Sequence, residues 1–228
     1  MKEKYSQSNF NQALWLSVSS FSTFAVTLLS AAILSRYFNK AEYGTYRQIL
    51  YVFTTLQVVF TAGLPGVFAY FIPRLTHGQG KYLVNSINRV FVFIGLAFSI
   101  FLYLTSGLIA DILKNPELSI GLKIFSPFPL FTIPALGVEG IYTALKKTKS
   151  IFFYHVFNKS LMFLCIVLPV VLFHGTYRSA IIGWGIASFI SFLFAMYLKN
   201  KPYTEINKEL IPNMYKTVFN YSMPLMGA

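Results

Sequence analysis

From Tyr5 to Ser35 the chain carries no charged side chain, and long uncharged apolar runs recur between Arg47 and Arg74, between Arg89 and Asp111, and between Arg178 and Lys199. A helix of about 20 mainly apolar residues crosses a hydrocarbon core about 30 Å thick, so each run is long enough to span a bilayer. Two further runs hold internal charge: about Ile120 to Ala144, with Lys123 and Glu139, and about Ser150 to Phe173, with Lys159. The pattern predicts an all-α polytopic membrane protein. Its core is a six-transmembrane-helix bundle over residues 1–198, with helices at about 11–35, 48–72, 86–110, 120–144, 150–173 and 179–198. The polar stretch KNKPYTEINKELIPNMYK, 199–216, reads as a cytoplasmic linker, and TVFNYSMPLMGA, 217–228, as the start of a seventh helix. The chain stops where that helix begins, the pattern expected of a truncated or partial product.

Composition agrees, since hydrophobic residues make up 55% and charged residues only 11%, outside the range of a soluble domain of this size. Many of the 15 tyrosines sit close to charged segments, where an amphipathic ring anchors at the headgroup level. The net charge of +12 raises nucleic acid as a partner. The cations fall between apolar runs, however, which points to the bilayer and away from nucleic acid. Counting Lys and Arg by loop places thirteen on the side of the N-terminus (Lys2, Lys4, Arg74, Lys81, Arg89, Lys146, Lys147, Lys149, Lys159, Lys199, Lys201, Lys208 and Lys216). Six lie on the other side (Arg36, Lys40, Arg47, Lys114, Lys123 and Arg178), so the N-terminus is expected in the cytoplasm. Cys165 is a lone cysteine, and His77, His155 and His174 lie in different segments, which leaves no disulfide framework and no zinc-ligand spacing. The first apolar run is too long for a signal-peptide core and is expected to stay as an anchor.

The first connection, LSRYFNKAEYGTYRQIL, concentrates Arg36, Lys40, Glu42 and Arg47 in a chain otherwise poor in charge. One reading pairs Glu42 with Lys40 or Arg47, sets Tyr37, Tyr43 and Tyr46 at the headgroup level and uses Gly44 for a tight bend. The same turn begins a resemblance. SRYFNKAEYGTYRQ, above all EYGTY, is similar to the segment joining the first two helices of bacterial polysaccharide and O-antigen flippases, members of the multidrug/oligosaccharidyl-lipid/polysaccharide exporter superfamily. GLPGVFAYFIPR (Gly63 to Arg74), ALKKTKS (Ala144 to Ser150) and NYSMPLMGA (Asn220 to Ala228) extend the similarity in order along the whole chain. Each motif alone is weak, and their order among six helices carries the resemblance.

The resemblance implies a two-lobe transporter of the cell inner membrane, with six or seven helices per lobe around a central cavity that opens alternately to the two sides. The chain covers about one lobe, so the partner it implies first is a missing C-terminal lobe. The implied substrate is an undecaprenyl-diphosphate-linked oligosaccharide, for O-antigen, lipopolysaccharide or another polysaccharide. Polysaccharide polymerase and glycosyltransferases are the implied neighbours.

Flipping such a substrate requires a polar route for the diphosphate and glycan. An Arg fork binds phosphate oxygens in bidentate fashion, Lys acts as a point charge, and ionisable groups inside a membrane usually face a bundle interior or a wet cavity. Arg36 and Arg47, at the outer ends of the first two helices, and Lys159, near mid-membrane if the fifth helix begins at Ser150, are therefore the candidate substrate-binding residues. If the fourth and fifth helices form a hairpin near Lys147, then Glu139 and His155 share a depth, with Lys159 one turn further on. This trio could hold a coupling proton or sodium ion, or serve as a static ion pair. Gly63, Pro65, Gly66 and Pro134 are candidate hinges, because they interrupt helical hydrogen bonding. No cofactor and no catalytic or metal residue is implied, and there is no P-loop, nucleophile elbow or paired-carboxylate site. Two alternatives stand beside a flippase: a multidrug/cation antiporter of the same superfamily, and a membrane-embedded enzyme of glycan assembly. The enzyme would need a larger extracytoplasmic loop than the short ones expected here, and the antiporter would favour acidic cavity residues.

Overall fold

Proline and glycine break two of the expected helices. In the computed structural model, which describes residues 9–222, the regular elements are all helical. They are α1 (Asn9–Tyr37), α2 (Lys40–Thr61), α3 (Val67–Phe71), α4 (His77–Ile112), α5 (Pro116–Phe125), α6 (Pro129–Ala135), α7 (Val138–Ala144), α8 (Thr148–Phe173), α9 (Tyr177–Asn200) and α10 (Met214–Ser222). Helices α1, α4, α8 and α9 are each long and apolar enough to cross a membrane. Two bent pairs also qualify, α2 with Leu64–Arg74 at 59° and α5 with Pro129–Ala144 at 56°, so the described residues hold four spans, or six if each bent pair counts as one. Tight 3-10 turns, Leu64–Gly66 and Ile72–Arg74, flank α3, each with a proline in its first turn, where the missing N–H costs least.

The helices also begin earlier than the apolar runs do, because hydropathy marks only the part inside hydrocarbon while caps set the ends. Asn39 caps α2: its side chain accepts from the Glu42 N–H at 2.9 Å, and the Glu42 carboxylate accepts in return from the Asn39 N–H. This capping box explains Glu42 in place of an ion pair with Lys40 or Arg47. Gly44 sits inside α2 and forms no bend. Thr76 and Gln79 make the same box at the start of α4, which therefore begins at His77, ahead of the apolar run.

Buried Phe53, Phe91, Phe98 and Phe125 centre the bundle of α2, α4, α5, α6 and α9. Helix α8 packs on α9, and α1 lies outermost, chiefly against α8. The α8–α9 contact depends on Gly183, where a Cβ would stand 2.0 Å from the Cys165 carbonyl oxygen, so no larger residue permits the approach.

One end of the bundle joins three short connections. The Asn115 amide donates to Thr45 Oγ1 at 2.9 Å and to Gln48 Oε1 at 2.6 Å, and Arg178 pairs with Glu117 at 2.9 Å. At the other end the segment after α9 is docked: Lys81 Nζ donates to the Ile206 carbonyl at 2.7 Å, and the Glu209 N–H donates to the Gly78 carbonyl at 3.2 Å. Helix α10 buries Met214, Val218 and Ser222, and Tyr221 stacks on Tyr70. Residues 223–228 of the expected seventh helix, and Lys2 and Lys4 of the charge count, lie outside the described residues.

Candidate functional site

A cleft of about 360 Å³ opens between α2, α6, α8 and α9. Phe53 and Gln57 come from α2, Thr132 and Ala135 from α6, Tyr154, Asn158, Lys159 and Met162 from α8, and Trp184, Ser188 and Ser191 from α9. On α8, Tyr154, Asn158 and Met162 follow at helical spacing, so one face of an otherwise apolar helix carries the polar wall. The opposite wall is aromatic: Trp184 packs at 5.3 Å from Phe53 and 4.7 Å from Phe125, which holds its indole against the cleft.

Lys159 is half-buried and has neither an ion-pair nor a hydrogen-bond partner among the described residues. Asn158 Oδ1 and Ser191 Oγ are buried without a hydrogen-bond partner as well. A cation at mid-span costs about 2.5–3.5 kcal/mol on insertion scales, and an unsatisfied buried polar atom about 1–3 kcal/mol. Lys159, Asn158 Oδ1 and Ser191 Oγ thus stand beside one cleft with polar capacity unused among the described residues. With one cation and no carboxylate along its lining, the cleft favours an anion.

The candidates from the sequence are distributed unevenly around this cleft. Arg36, in the last turn of α1, and Arg47, in the second turn of α2, are exposed, and neither lines it. Glu139 and His155 do meet, with Oε2 3.7 Å from Nε2, and Ser19 Oγ of α1 lies 3.0 Å from His155 Nδ1. Of these three residues only Lys159 lines the cleft; Glu139 and His155 lie beside it, with His155 one helical turn before Lys159 on α8 and in contact with α1. Gly63 has φ of 70°, and Pro65 and Gly66 form the turn that follows, at the bend of the second span. Pro134 stands at the end of α6, beside the break before α7.

Two residues at that break escaped the sequence reading. Gly137, with φ of 92°, takes the left-handed backbone that lets α7 restart in a new direction. Lys199 was counted as a loop cation, yet it is fully buried in the last turn of α9. Its Nζ donates to Asn88 Oδ1 at 2.9 Å and to the Pro134 carbonyl at 2.7 Å. A signal for its burial was present, since Ala187, Ser191, Ala195 and Lys199 recur every four residues along the small-residue face of α9. Among the described residues no group of three or more His, Cys, Asp or Glu is placed to hold a metal ion.

Comparison with known protein families matches the chain to one described as polysaccharide biosynthesis protein, over residues 10–228. No curated protein and no solved structure gives a match.

Proposed function

Because the chain belongs to the polysaccharide biosynthesis protein family, we propose that it is an exporter moving lipid-linked oligosaccharide across the membrane by alternating access. The observation that carries this reading is Lys159, without a hydrogen-bond or ion-pair partner among the described residues, in a cleft otherwise lined by uncharged side chains. A diphosphate linkage would meet the ammonium, sugar hydroxyls would satisfy Asn158 Oδ1 and Ser191 Oγ, and the polyprenyl tail would stay in lipid. With each bent pair counted as one span the chain has six candidate spans, which supports the reading of a six-helix lobe of a two-lobe transporter in the inner membrane with a cytoplasmic N-terminus. Removing Lys199 from the loop count leaves that charge bias unchanged in sign. Very short connections at one end, Phe38–Asn39 and His174–Thr176 among them, leave little room for a catalytic loop and favour transport over glycan-assembly chemistry. A cationic cleft likewise favours an anionic cargo over a cationic drug.

The test is complementation of a strain whose own exporter is deleted, with surface polysaccharide measured against the amount of protein in the membrane. At roughly 4 Å and an effective dielectric of about 20, two unit charges interact by about 4 kcal/mol, and Lys159→Glu turns that attraction into repulsion. Export is expected to fall by at least about tenfold with protein level intact, while Lys159→Arg retains much of it. Full export by Lys159→Glu would overturn the assignment.

A further inference from the structure

The two broken spans converge on Lys199. A continuous helix would pair the Pro134 carbonyl with the N–H of Val138. The extended backbone at Leu136 and the left-handed one at Gly137 remove that partner, and Lys199 Nζ supplies a replacement from α9. The next carbonyl, Ala135, is met at 3.5 Å by the Tyr154 hydroxyl from α8. The break is therefore gripped from two sides: by Tyr154, which lines the cleft, and by Lys199 in the core.

The core grip is built for an ammonium. Nζ donates to Asn88 Oδ1 and Pro134 O, and the faces of Phe68 and Phe91 lie 5.5 Å and 5.2 Å from it, an arrangement that favours the charged form of the amine against its burial. Phe68 belongs to α3, the displaced part of the second span, so a single side chain ties α9 to both breaks and to α4. All four partners are neutral.

We propose that Lys199 is a positioning residue of the transport cycle, whose ammonium clamps the α6–α7 break in the present conformation and releases the Pro134 carbonyl when the cleft opens to the opposite face. This inference rests on alternating access at the Lys159 cleft. Ala135 joins the two events, because it follows Pro134 directly and lines the cleft.

The test uses the full chain with Gln57→Cys as a reporter in the cleft and Cys165→Ser to remove the native thiol. A membrane-impermeant maleimide is applied to right-side-out and to inverted vesicles, and the ratio of the two labelling rates reports which face the cleft is open to. The double variant Lys199→Met with Asn88→Leu removes both polar partners together and keeps their bulk, so folding is expected to survive. The ratio should then shift by about tenfold, as the loss of one charge-assisted bond permits. Asn88→Asp turns the neutral partner into a carboxylate, tightens the grip, and should shift the ratio in the opposite direction. A merely structural lysine would produce no pair of opposite shifts. An unchanged ratio in the folded double variant, or shifts of the same sign, overturns the latch; if the double variant does not fold, an unchanged ratio in Asn88→Asp does so. Labelling needs no cargo, so its failure is distinct from failure of the export assay on Lys159.

Discussion

Replacing Lys199 by Ala should be among the most damaging single changes in the bundle, and the structure says why. The substitution deletes the donor at 2.9 Å from Asn88 Oδ1 and 2.7 Å from the Pro134 carbonyl, both of which stay buried. Each neutral acceptor left buried and unpaired costs about 1–3 kcal/mol, so the two together cost about 2–6 kcal/mol. Loss of three stem methylenes, at about 0.8 kcal/mol each, adds about 2 kcal/mol. The expected total is roughly 4–8 kcal/mol, a large share of the ~5–15 kcal/mol by which a folded domain is stable. Lys199→Met keeps most of the stem and should lose about 2–6 kcal/mol, the cost of the two orphaned acceptors alone. Lys199→Met with Asn88→Leu leaves one orphan acceptor, the backbone carbonyl, and should lose roughly 1–3 kcal/mol. Equilibrium unfolding in detergent micelles, followed by helicity and by exposure of Cys165, gives the three values on one scale. The ordering matters more than the absolute figures. If the Ala and double variants prove equally stable, Nζ bonding contributes nothing measurable and the reasoning fails.

Two further outcomes follow from geometry alone. Gly183→Val should separate α8 from α9, because even its Cβ would meet the Cys165 carbonyl at 2.0 Å; yield of folded protein is expected to drop severely, whereas Val at exposed Gly44, where a Cβ would meet nothing within 4 Å, should be neutral or stabilise by a few tenths of a kcal/mol (about 0.3), as measured by thermal unfolding in detergent. Glu139→Gln should leave export within about twofold of the parent in the complementation assay, since its contact to His155 is 3.7 Å long and its side chain is 60% exposed; a loss of more than about tenfold would make the pair an ion-coupling site instead of a static contact.

Much of the fold was legible because its first constraint is one-dimensional. A chain that must satisfy every backbone group inside lipid declares its spans as long apolar runs, whatever packs against them. The runs ending near Arg36, Asp111, Phe173 and Lys199 all appear as helices, and prolines at 65, 129 and 134 lie in or beside the two broken spans. The contact between Glu139 and His155 was also legible, because a hairpin turning near Lys147 sets both at one depth.

What the sequence could not decide was azimuth, the direction in which each side chain leaves its helix once the helices are packed. Arg36, Arg47 and Lys159 are all cations near apolar runs, yet only Lys159 turns into the cleft, and its neighbour His155 turns toward α1. Lys199 stood next to Asn200 and Lys201 as an ordinary headgroup cation. Tertiary packing brought Asn88, Phe68, Phe91 and the unpaired carbonyl of Pro134 around it from three distant segments. Hydropathy is a property of each residue in its own stretch and survives any arrangement of neighbours. A polar site inside a bundle is a property of several helices at once, and it exists only after they have met.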